Sequence, residues 1–172
     1  MKRGDGFAAE AARAGVRRAG FEDVPAVLRL IEAAVEHGCR GHYSAAQRRA
    51  VFLTYAESLF VDVLQPFETI VVERLGRGQI LGMAQLDPDE GRLRALFVAP
   101  DLQGSGLGRV LLATIERVAR AHGLRAIQGA MSLNAVEFYG RAGFRRCSGP
   151  EHLVRAGIVV PIVPMDKALD SA

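Results

Sequence analysis

The chain is poor in several residue types, and each shortage argues against a class of protein. Its two cysteines, Cys39 and Cys147, form no CxxC pair and have no histidine at ligand spacing, which indicates reduced thiols and no metal site. No apolar run approaches the roughly 18 residues that span a bilayer. Only Lys2 and Lys167 are lysines. The arginines that carry the positive charge are scattered and do not alternate with aromatics, so we expect neither a membrane nor a nucleic acid as partner.

The N-terminal segment also lacks the apolar stretch of a secretory signal. The sequence "MKRGDGFAAEAARAG" starts basic but then carries Asp5, Glu10 and Arg13. We therefore expect residues 1–15 to be a mobile tail, residues 16–172 to form one domain, and the protein to be cytoplasmic. What remains suits one globular domain, with 49% hydrophobic residues, 24% charged residues and a net charge of +3.

Strand and helix patterns alternate along the chain. Apolar and β-branched runs predict strands at 16–19, 67–73, 79–86, 92–98, 125–131 and 157–165, with a short one near 144–147. Apolar positions at helical spacing predict helices at 24–37, from 45 towards 58 or as far as 64, at 107–122 and at 134–143. Hairpins flank a single strand–helix–strand unit, 92–131. This order predicts a mixed α+β domain whose central sheet is mostly antiparallel with one parallel strand pair, and helices on both faces.

Capping and breaking residues refine these predictions. Asp23 is predicted to cap the first helix, and "SAAQ", Ser44–Gln47, is a capping-box pattern for the second. The predicted apolar stripe of the first helix is Val24, Val27, Leu28, Ile31, Ala34 and Val35. Pro161 and Pro164 cannot donate ladder hydrogen bonds, so the last strand is predicted at a sheet edge, from which pairing across a homodimer is conceivable.

The segment between the strand at 92–98 and its helix, "LFVAPDLQGSGLGRVLL", holds three glycines in five positions: Gly104, Gly106 and Gly108. Backbone N–H groups at a helix N-terminus form an anion site, and glycine lets that backbone approach a phosphate closely. A P-loop is excluded because GxxxxGK[ST] is absent, and a dinucleotide site is weakly supported because no acid ends the next strand.

Gln103-x-x-Gly106-x-Gly108 closely resembles the acetyl-CoA motif of the GCN5-related N-acetyltransferases. Downstream, "LNAVEFYGRAGFRR", residues 133–146, is similar to a second motif of the same family, an Asn followed by Phe-Tyr and Gly-Phe. The resemblance extends over roughly residues 16 to 169. It implies transfer of an acetyl group from acetyl-CoA, as co-substrate, to a primary amine of a small molecule or a protein, without a metal.

The resemblance also implies where the cofactor lies. Pantetheine would occupy a splayed gap between the strands at 93–98 and 126–131, bonded to the backbone of Leu96, Phe97 and Val98. The pyrophosphate would lie on the loop residues Gln103, Gly104, Ser105, Gly106, Leu107, Gly108 and Arg109. The side chain of Arg109 would either add a charge-assisted contact or point to water.

The same resemblance suggests roles for two residues of the second motif. Tyr139 resembles the general acid that protonates the leaving thiolate, although it would otherwise be an aromatic packed beside Phe138. Asn134 resembles a residue that contacts the cofactor arm, and it could also cap the following helix. A backbone N–H of the splayed strand would stabilise the tetrahedral oxyanion.

The sequence departs from the family at the general base. Many members carry an acid on the strand that leads into "LFV", where this chain has Arg92-Leu93-Arg94. Asp87, Glu90 and Glu73 are close in sequence, but each fits a turn or surface role. A carboxylate from another segment, a water relay or an acceptor of low pKa therefore remain alternatives.

The acceptor region carries no recognisable signature. In relatives the segment 37–49 lies over the acceptor pocket, so His42, Tyr43 and Gln47 are candidates to line it. Arg94, or Arg92, would favour an acceptor with a carboxylate if its side chain faced the cleft. Because the strand acid is missing, a non-catalytic module that binds and senses acetyl-CoA is the alternative function.

Overall fold

Eight strands form one sheet in the part of the chain that the computed structural model describes, residues 14–56, 67–74, 77–147 and 151–169. They are β1 Ala14–Arg18, β2 Glu68–Arg74, β3 Gln79–Asp87, β4 Arg92–Val98, β5 Ala126–Ser132, β6 Arg145–Arg146, β7 Glu151–Arg155 and β8 Ile158–Ala168. The order across the sheet is β1-β2-β3-β4-β5-β8-β6, and β7 also pairs with β8.

Four α-helices cover the two faces of this sheet within the described ranges: α1 Val24–Gly38, α2 Ala45–Ala56, α3 Leu107–Ala121 and α4 Val136–Arg141. Helices α1 and α2 share one apolar cluster with one face of the central strands, and α3 and α4 share a second cluster with the opposite face. Short 3-10 turns span Phe21–Asp23, Pro100–Leu102 and Leu133–Ala135. None of the described helices is long and apolar enough to cross a bilayer.

The parallel contact between β4 and β5 is the break in an otherwise antiparallel sheet. It consists of one ladder pair in the described chain, Arg92 opposite Gln128, beside a hydrogen bond from the Gln128 amide to the Gly91 carbonyl at 2.9 Å. Beyond this pair the two strands diverge towards their C-terminal ends. The predicted mixed sheet with one parallel pair is confirmed.

Strand β4 contains a β-bulge in its pairing with β3. Gln85 lies opposite Ala95 and Leu86 lies opposite Leu93, so Arg94 has no partner position on β3. At a bulge, two neighbouring side chains of one strand can point to the same face of the sheet, because the extra residue interrupts the usual alternation. Arg94 is therefore directed to the same face as Ala95, the face that α1 and α2 cover.

The first two helices follow their predicted patterns with two differences. Leu30 is buried in α1, whereas Leu28 of the predicted stripe is only partly buried. Asp23 precedes α1, but its carboxylate does not cap that helix. It accepts hydrogen bonds from Arg17 at 2.6 and 2.8 Å and from the Gly20 amide, at the start of the 3-10 turn, at 2.8 Å. The capping box of α2 is confirmed, with Ser44 and Gln47 exchanging side chain-to-amide hydrogen bonds of 3.0 and 3.2 Å.

The prediction that the last strand lies at an edge is wrong. Strand β8 pairs with β5 on one side and with β6 and β7 on the other. Pro164 is tolerated because no residue of β6 or β7 is paired with it, so its missing N–H leaves no unfilled position on that side. The carbonyl of Pro161 accepts a hydrogen bond from the Tyr43 hydroxyl at 2.7 Å. Strand β7 was not predicted. It forms a hairpin with β8 through a two-residue turn, Ala156 and Gly157, both with positive φ.

Parts of two predictions lie outside the described residues: the tail over residues 1–13 and the second helix beyond Ala56. Strand β1 begins at Ala14, two residues before the predicted domain boundary.

Candidate active site

The glycine-rich loop before α3 presents backbone donors. The amides of Gln103, Ser105, Leu107 and Arg109 each have an acceptor inside the loop, at 3.0 to 3.4 Å. The amides between them, those of Gly104, Gly106 and Gly108, have none among the described residues. Gly104 and Gly106 have φ of +80° and +95°, and residues that alternate into this left-handed region turn successive N–H groups to one side. The loop thus has the geometry of an anion-binding nest at the N-terminus of α3.

Two polar side chains lie beside this loop at the end of α1. A Cβ at Gly38 would meet the Gln103 and Asn134 amide nitrogens at 3.4 Å each. Asn134 lies in a 3-10 turn and does not cap α4, whose first flanking residue is Ala135. Its Oδ1 instead accepts a hydrogen bond from the Cys39 thiol at 3.3 Å. Arg109 is exposed and forms no ion pair with any described residue.

At the end of β4 that diverges from β5, some backbone N–H and C=O groups point into the gap between the two strands. The Ala99 amide donates to the Leu81 carbonyl at 2.9 Å, so this pair faces β3. Hydrogen-bonding direction alternates along an antiparallel strand. Phe97 therefore also bonds towards β3, and the N–H and C=O groups of Leu96 and Val98 point the other way, towards β5. An extended chain could bond to them there.

A cavity of about 250 Å³ opens between these strands and continues under α2. Its lining mixes apolar side chains with hydroxyl, amide and guanidinium groups. The lining residues are Cys39, Tyr43, Val51, Thr54, Tyr55, Gln85, Arg92, Leu93, Arg94, Ala95, Leu96, Phe97, Ala130, Met131, Ser132, Ala135, Tyr139, Leu153 and Ile162. All three tyrosines of the chain are among them.

Tyr139 is a buried polar group that lines the cavity, with 5% of its surface exposed. Its ring packs edge-on against Phe138 and Phe144, with centroids 5.0 and 5.3 Å away. Its hydroxyl has no hydrogen-bond partner among the described residues. Burial raises the pKa of this phenol well above its ordinary value, so it stays protonated at any physiological pH.

The other two tyrosines are tied to the backbone. The Tyr43 hydroxyl accepts from the Leu133 amide at 2.8 Å and donates to the Pro161 carbonyl, which joins the loop after α1 to the ends of β5 and β8. The Tyr55 hydroxyl donates to the Arg94 carbonyl at 3.2 Å, and burial raises its pKa to about 12. Burial likewise raises the pKa of the Cys39 thiol to about 11, which keeps it protonated.

Of the four residues predicted for the acceptor region, two line the cavity and two do not. Tyr43 and Arg94 line the cavity. His42 is exposed and is not part of the lining. Gln47 is not part of it either, because its side chain donates to the Val159 carbonyl at 2.9 Å and completes the α2 capping box.

The three acids considered as general base have other partners. Glu73 pairs with Arg17 at 2.8 Å, and Glu90 pairs with Arg92 at 3.1 Å. Asp87 is buried and accepts the amides of Asp89 and Glu90 at 3.1 Å each, with Arg94 at 3.8 Å from its other oxygen. None of these three carboxylates lines the cavity.

Sequence patterns did not single out Tyr55 or Gln85. Tyr55 lies in a helix of weak amphipathicity, and only the fold brings it onto β4. Gln85 did leave a signal, since it is a polar residue in the apolar strand run "ILGMAQL" and proves 1% exposed. A buried polar side chain is more informative than an exposed apolar one.

Comparison with known proteins gives consistent results. The family described as "Acetyltransferase (GNAT) domain" matches residues 39–169. A GCN5-related N-acetyltransferase structure from Rhodopseudomonas palustris is 25% identical with a TM-score of 0.80, over 90% of this chain and 95% of that one. The paiA N-acetyltransferase of Thermoplasma acidophilum, solved with coenzyme A, is 16% identical with a TM-score of 0.73, over 90% and 98%. The yncA protein of Salmonella typhimurium, solved with its cofactor acetyl-CoA, is 21% identical with a TM-score of 0.61, over 92% and 95%.

The family match spans more than half of the chain, and it includes both the glycine-rich loop and the helix that carries Tyr139. The diverging parallel pair and the donor loop are features that the sequence resemblance had implied. The chain belongs to the GCN5-related N-acetyltransferase family.

Proposed function

We propose that this protein transfers the acetyl group of acetyl-CoA to a primary amine of a small molecule or a protein, by direct attack of the amine on the thioester. One observation carries the proposal. Strand β4 leads from a cavity that contains the unpartnered hydroxyl of Tyr139 to a loop whose glycine amides have no acceptor among the described residues. A ligand that joins a thioester to a diphosphate fits this arrangement.

The loop would hold the diphosphate of the cofactor. The amides of Gly104, Gly106 and Gly108 supply the donors, and the dipole of α3 favours the negative charge. Arg109 at the first turn of α3 adds a positive charge that no described carboxylate neutralises. Asn134 and Gln103 flank the path from this loop to the cavity.

The backbone of β4 would orient the thioester. Pantetheine bonds to the inward N–H and C=O groups of Leu96 and Val98, in the place of a neighbouring strand. As the amine nitrogen forms its bond to the carbonyl carbon, the carbonyl oxygen gains negative charge. An inward N–H of β4 stabilises this oxyanion, since donors fixed in a dry cavity need no reorganisation.

Tyr139 would assist departure of the sulfur. The C–N bond forms, the C–S bond breaks, and the thiolate takes up the phenol proton, while a proton of the attacking nitrogen leaves to water and ultimately restores the phenol. Burial makes Tyr139 a weaker acid, but the same desolvation makes the nascent thiolate a stronger base. The pKa values of the phenol and of the thiol are therefore both raised in the cavity, and the proton transfer from Tyr139 to the thiolate stays feasible.

Removal of the Tyr139 hydroxyl tests this step. In Tyr139→Phe we expect kcat to fall by roughly 10²–10³, the range for loss of a general acid, with the Kd for CoA changed less than about twofold. Tyr55→Phe is the comparison, because it deletes another buried phenol of the same cavity, one that donates to the Arg94 carbonyl, and we expect it to lower kcat far less than Tyr139→Phe does. Thiol release and calorimetry measure the two quantities, and an unchanged kcat in Tyr139→Phe removes that residue from the mechanism.

Turnover itself distinguishes the enzyme from a binding module. We expect thiol release from acetyl-CoA with at least one amine of a broad panel. If CoA binds but no amine stimulates thiol release, the protein is instead a module that senses acetyl-CoA.

A further inference from the structure

The cavity extends beyond the β4–β5 gap onto the sheet face under α2, and we call this part the acceptor pocket. It is defined by Thr54, Tyr55, Gln85, Arg94, Ala95 and Phe97. Ala95 and Phe97 belong to the apolar cluster of α1 and α2, and Tyr55 packs edge-on against Phe97 at 5.1 Å. The pocket therefore lies beside the proposed thioester position, on the side from which an amine can approach.

Gln85 reaches this pocket with its side chain. Its backbone belongs to β3, which pairs with β2 on one side and β4 on the other, so the main chain is not open to the gap. Its Nε2 donates to the Thr69 hydroxyl at 3.0 Å. The carboxamide oxygen accepts no hydrogen bond from any described residue, so it is available to a ligand in the pocket. A buried amide oxygen that finds its partner in a ligand contributes strongly to specificity.

Arg94 reaches the same pocket because of the β4 bulge. Leu93 and Leu96 both belong to the cluster under α3, so the one extra residue of the bulge leaves Arg94 and Ala95 together on the opposite face, where the pocket lies. Its guanidinium stacks over the Phe67 ring at 4.5 Å and lies 3.8 Å from the Asp87 carboxylate. A stacked, planar guanidinium is well suited to bind a carboxylate or phosphate.

We propose that the acceptor is a small amine that also carries a carboxylate or another anionic group, with Arg94 facing the anion and the Gln85 oxygen accepting an N–H of the amine. This inference rests on the proposed acetyl transfer. The charged side chains among the described lining are both arginines, Arg92 and Arg94. Arg92 is paired with Glu90, so Arg94 is the group of the pocket that attracts an anion and repels a polyamine or a lysine-rich peptide. The volume of about 250 Å³ also favours a small molecule.

The same arrangement bears on the missing base. An amine must be neutral to attack, and a nearby positive charge lowers the pKa of an ammonium group. Arg94 beside the acceptor therefore raises the fraction of free amine. Gln85, being neutral, does not counter this effect, whereas a carboxylate at the same position would stabilise the ammonium form.

Two sets of matched amines test the acceptor class. The first is γ-aminobutyrate, its carboxamide and putrescine, and the second is para-(aminomethyl)benzoate, its carboxamide and para-xylylenediamine. Each set varies only the group remote from the amine. We expect the carboxylate member to have the highest kcat/KM, at least about tenfold above that of the diamine. A factor of this size corresponds to one charge interaction, screened by solvent, between Arg94 and the remote group of the amine.

Variants locate the preference in the pocket. Gln85→Glu adds a carboxylate beside Arg94, so the carboxylate-to-diamine ratio of kcat/KM should fall at least about tenfold, and Arg94→Gln should lower it similarly. Arg94→Lys, which keeps the charge, should retain most of the ratio. Arg117→Gln removes one arginine from the exposed face of α3 and should leave the ratio within about twofold. Calorimetry with CoA verifies that each variant is folded.

The outcomes separate this inference from the proposed function. A preference for diamines, or a ratio that Gln85→Glu and Arg117→Gln change equally, overturns the acceptor class while acetyl transfer stands. Intact CoA binding without acetylation of any amine overturns the transfer itself, and the acceptor class with it.

Discussion

At the scale of single residues, burial decides what Tyr139 can do. The ring is enclosed by Phe138 and Phe144, and its hydroxyl faces a cavity instead of a protein acceptor. Desolvation penalises the phenolate, which raises the pKa of Tyr139. A phenol held protonated and unbonded in this way is available to donate to a ligand atom.

This raised pKa has a consequence for the pH dependence of the rate. A general acid is lost as pH rises through its pKa, and for Tyr139 that loss lies above the value of about 10 for an ordinary tyrosine. We therefore expect kcat/KM to rise with pH as the acceptor amine is deprotonated, with no descending limb up to a pH of about 10. A falling limb centred well below that pH would contradict the assignment of Tyr139 as the acid.

The sequence motif identified Tyr139, but its protonation state and the acceptor residues required the structure. Gln85 and Arg94 are 9 positions apart in the chain and meet only through the β3–β4 pairing. The bulge at Arg94 leaves no clear local signal, since "RLRALFV" is compatible with simple alternation. Side-chain direction at such a site depends on register, which is a long-range property.

At the scale of secondary-structure elements, the loop before α3 depends on two glycines in the left-handed region. Gly106 has φ of +95°, where any residue with a Cβ is strained. We expect Gly106→Ala to destabilise the fold by about 1 kcal/mol and to weaken CoA binding at least about tenfold, because the altered backbone misdirects the donor amides.

Gly157→Ala is the control for that substitution. Gly157 also has positive φ, +75°, lies in the β7–β8 turn, and has open space where a Cβ would be. It should lose similar stability in urea unfolding but keep the Kd for CoA. Equal effects of the two variants on CoA affinity would mean that the loop amides do not bind the diphosphate.

The junction of β1 with α1 is held by an ion pair instead of a helix cap. Arg17 lowers the pKa of Asp23, so the carboxylate stabilises the fold above its ordinary pKa of about 4, and this stabilisation is lost as pH falls through the lowered value. Asp23→Asn should reduce the free energy of unfolding by roughly 1–2 kcal/mol at pH 7 and much less near pH 2.

Exposed Glu22, one residue away, provides the comparison for Asp23. Glu22→Gln should change the free energy of unfolding by less than about 0.5 kcal/mol at either pH. Urea unfolding at the two pH values measures both variants. A loss for Asp23→Asn that is the same at low and neutral pH would show that the ion pair contributes nothing.

Most elements were predictable because their signals are local. The apolar stripes of α1 and α3, the capping box of α2 and the strand at 92–98 follow from neighbours in the chain. The position of β8 was predicted incorrectly because proline excludes ladder donation but not carbonyl acceptance, as Pro161 and Pro164 show. The β7–β8 hairpin was missed because its turn, "AG", is short and β7, "EHLVR", has only two apolar residues and no alternation.

At the scale of the whole molecule, the proposed cofactor loop and the proposed acceptor pocket lie on opposite faces of the sheet, on either side of the diverging parallel pair. Helix α3 and its loop lie with one apolar cluster, and the acceptor pocket lies with the other, under α2. The cofactor would fill the gap between β4 and β5 and join the two halves of the sheet. Ligand binding should therefore stabilise the fold as a unit.

Thermal unfolding measures that coupling. A ligand at 100 times its Kd adds about 2.7 kcal/mol to the free energy of unfolding, which corresponds to a rise in Tm of about 5–10 °C for a chain of this size. We expect CoA to produce such a rise and NAD to produce none. The reverse result would favour the dinucleotide site that the glycine spacing left as a weak alternative.

The most direct test is a crystal structure with acetyl-CoA bound. The diphosphate oxygens should accept hydrogen bonds from the amides of Gly104, Gly106 and Gly108, with the acetyl group between β4 and β5 and its sulfur within reach of the Tyr139 hydroxyl. Density for the diphosphate away from this loop, or for the acetyl group outside the gap, would contradict the proposed transfer.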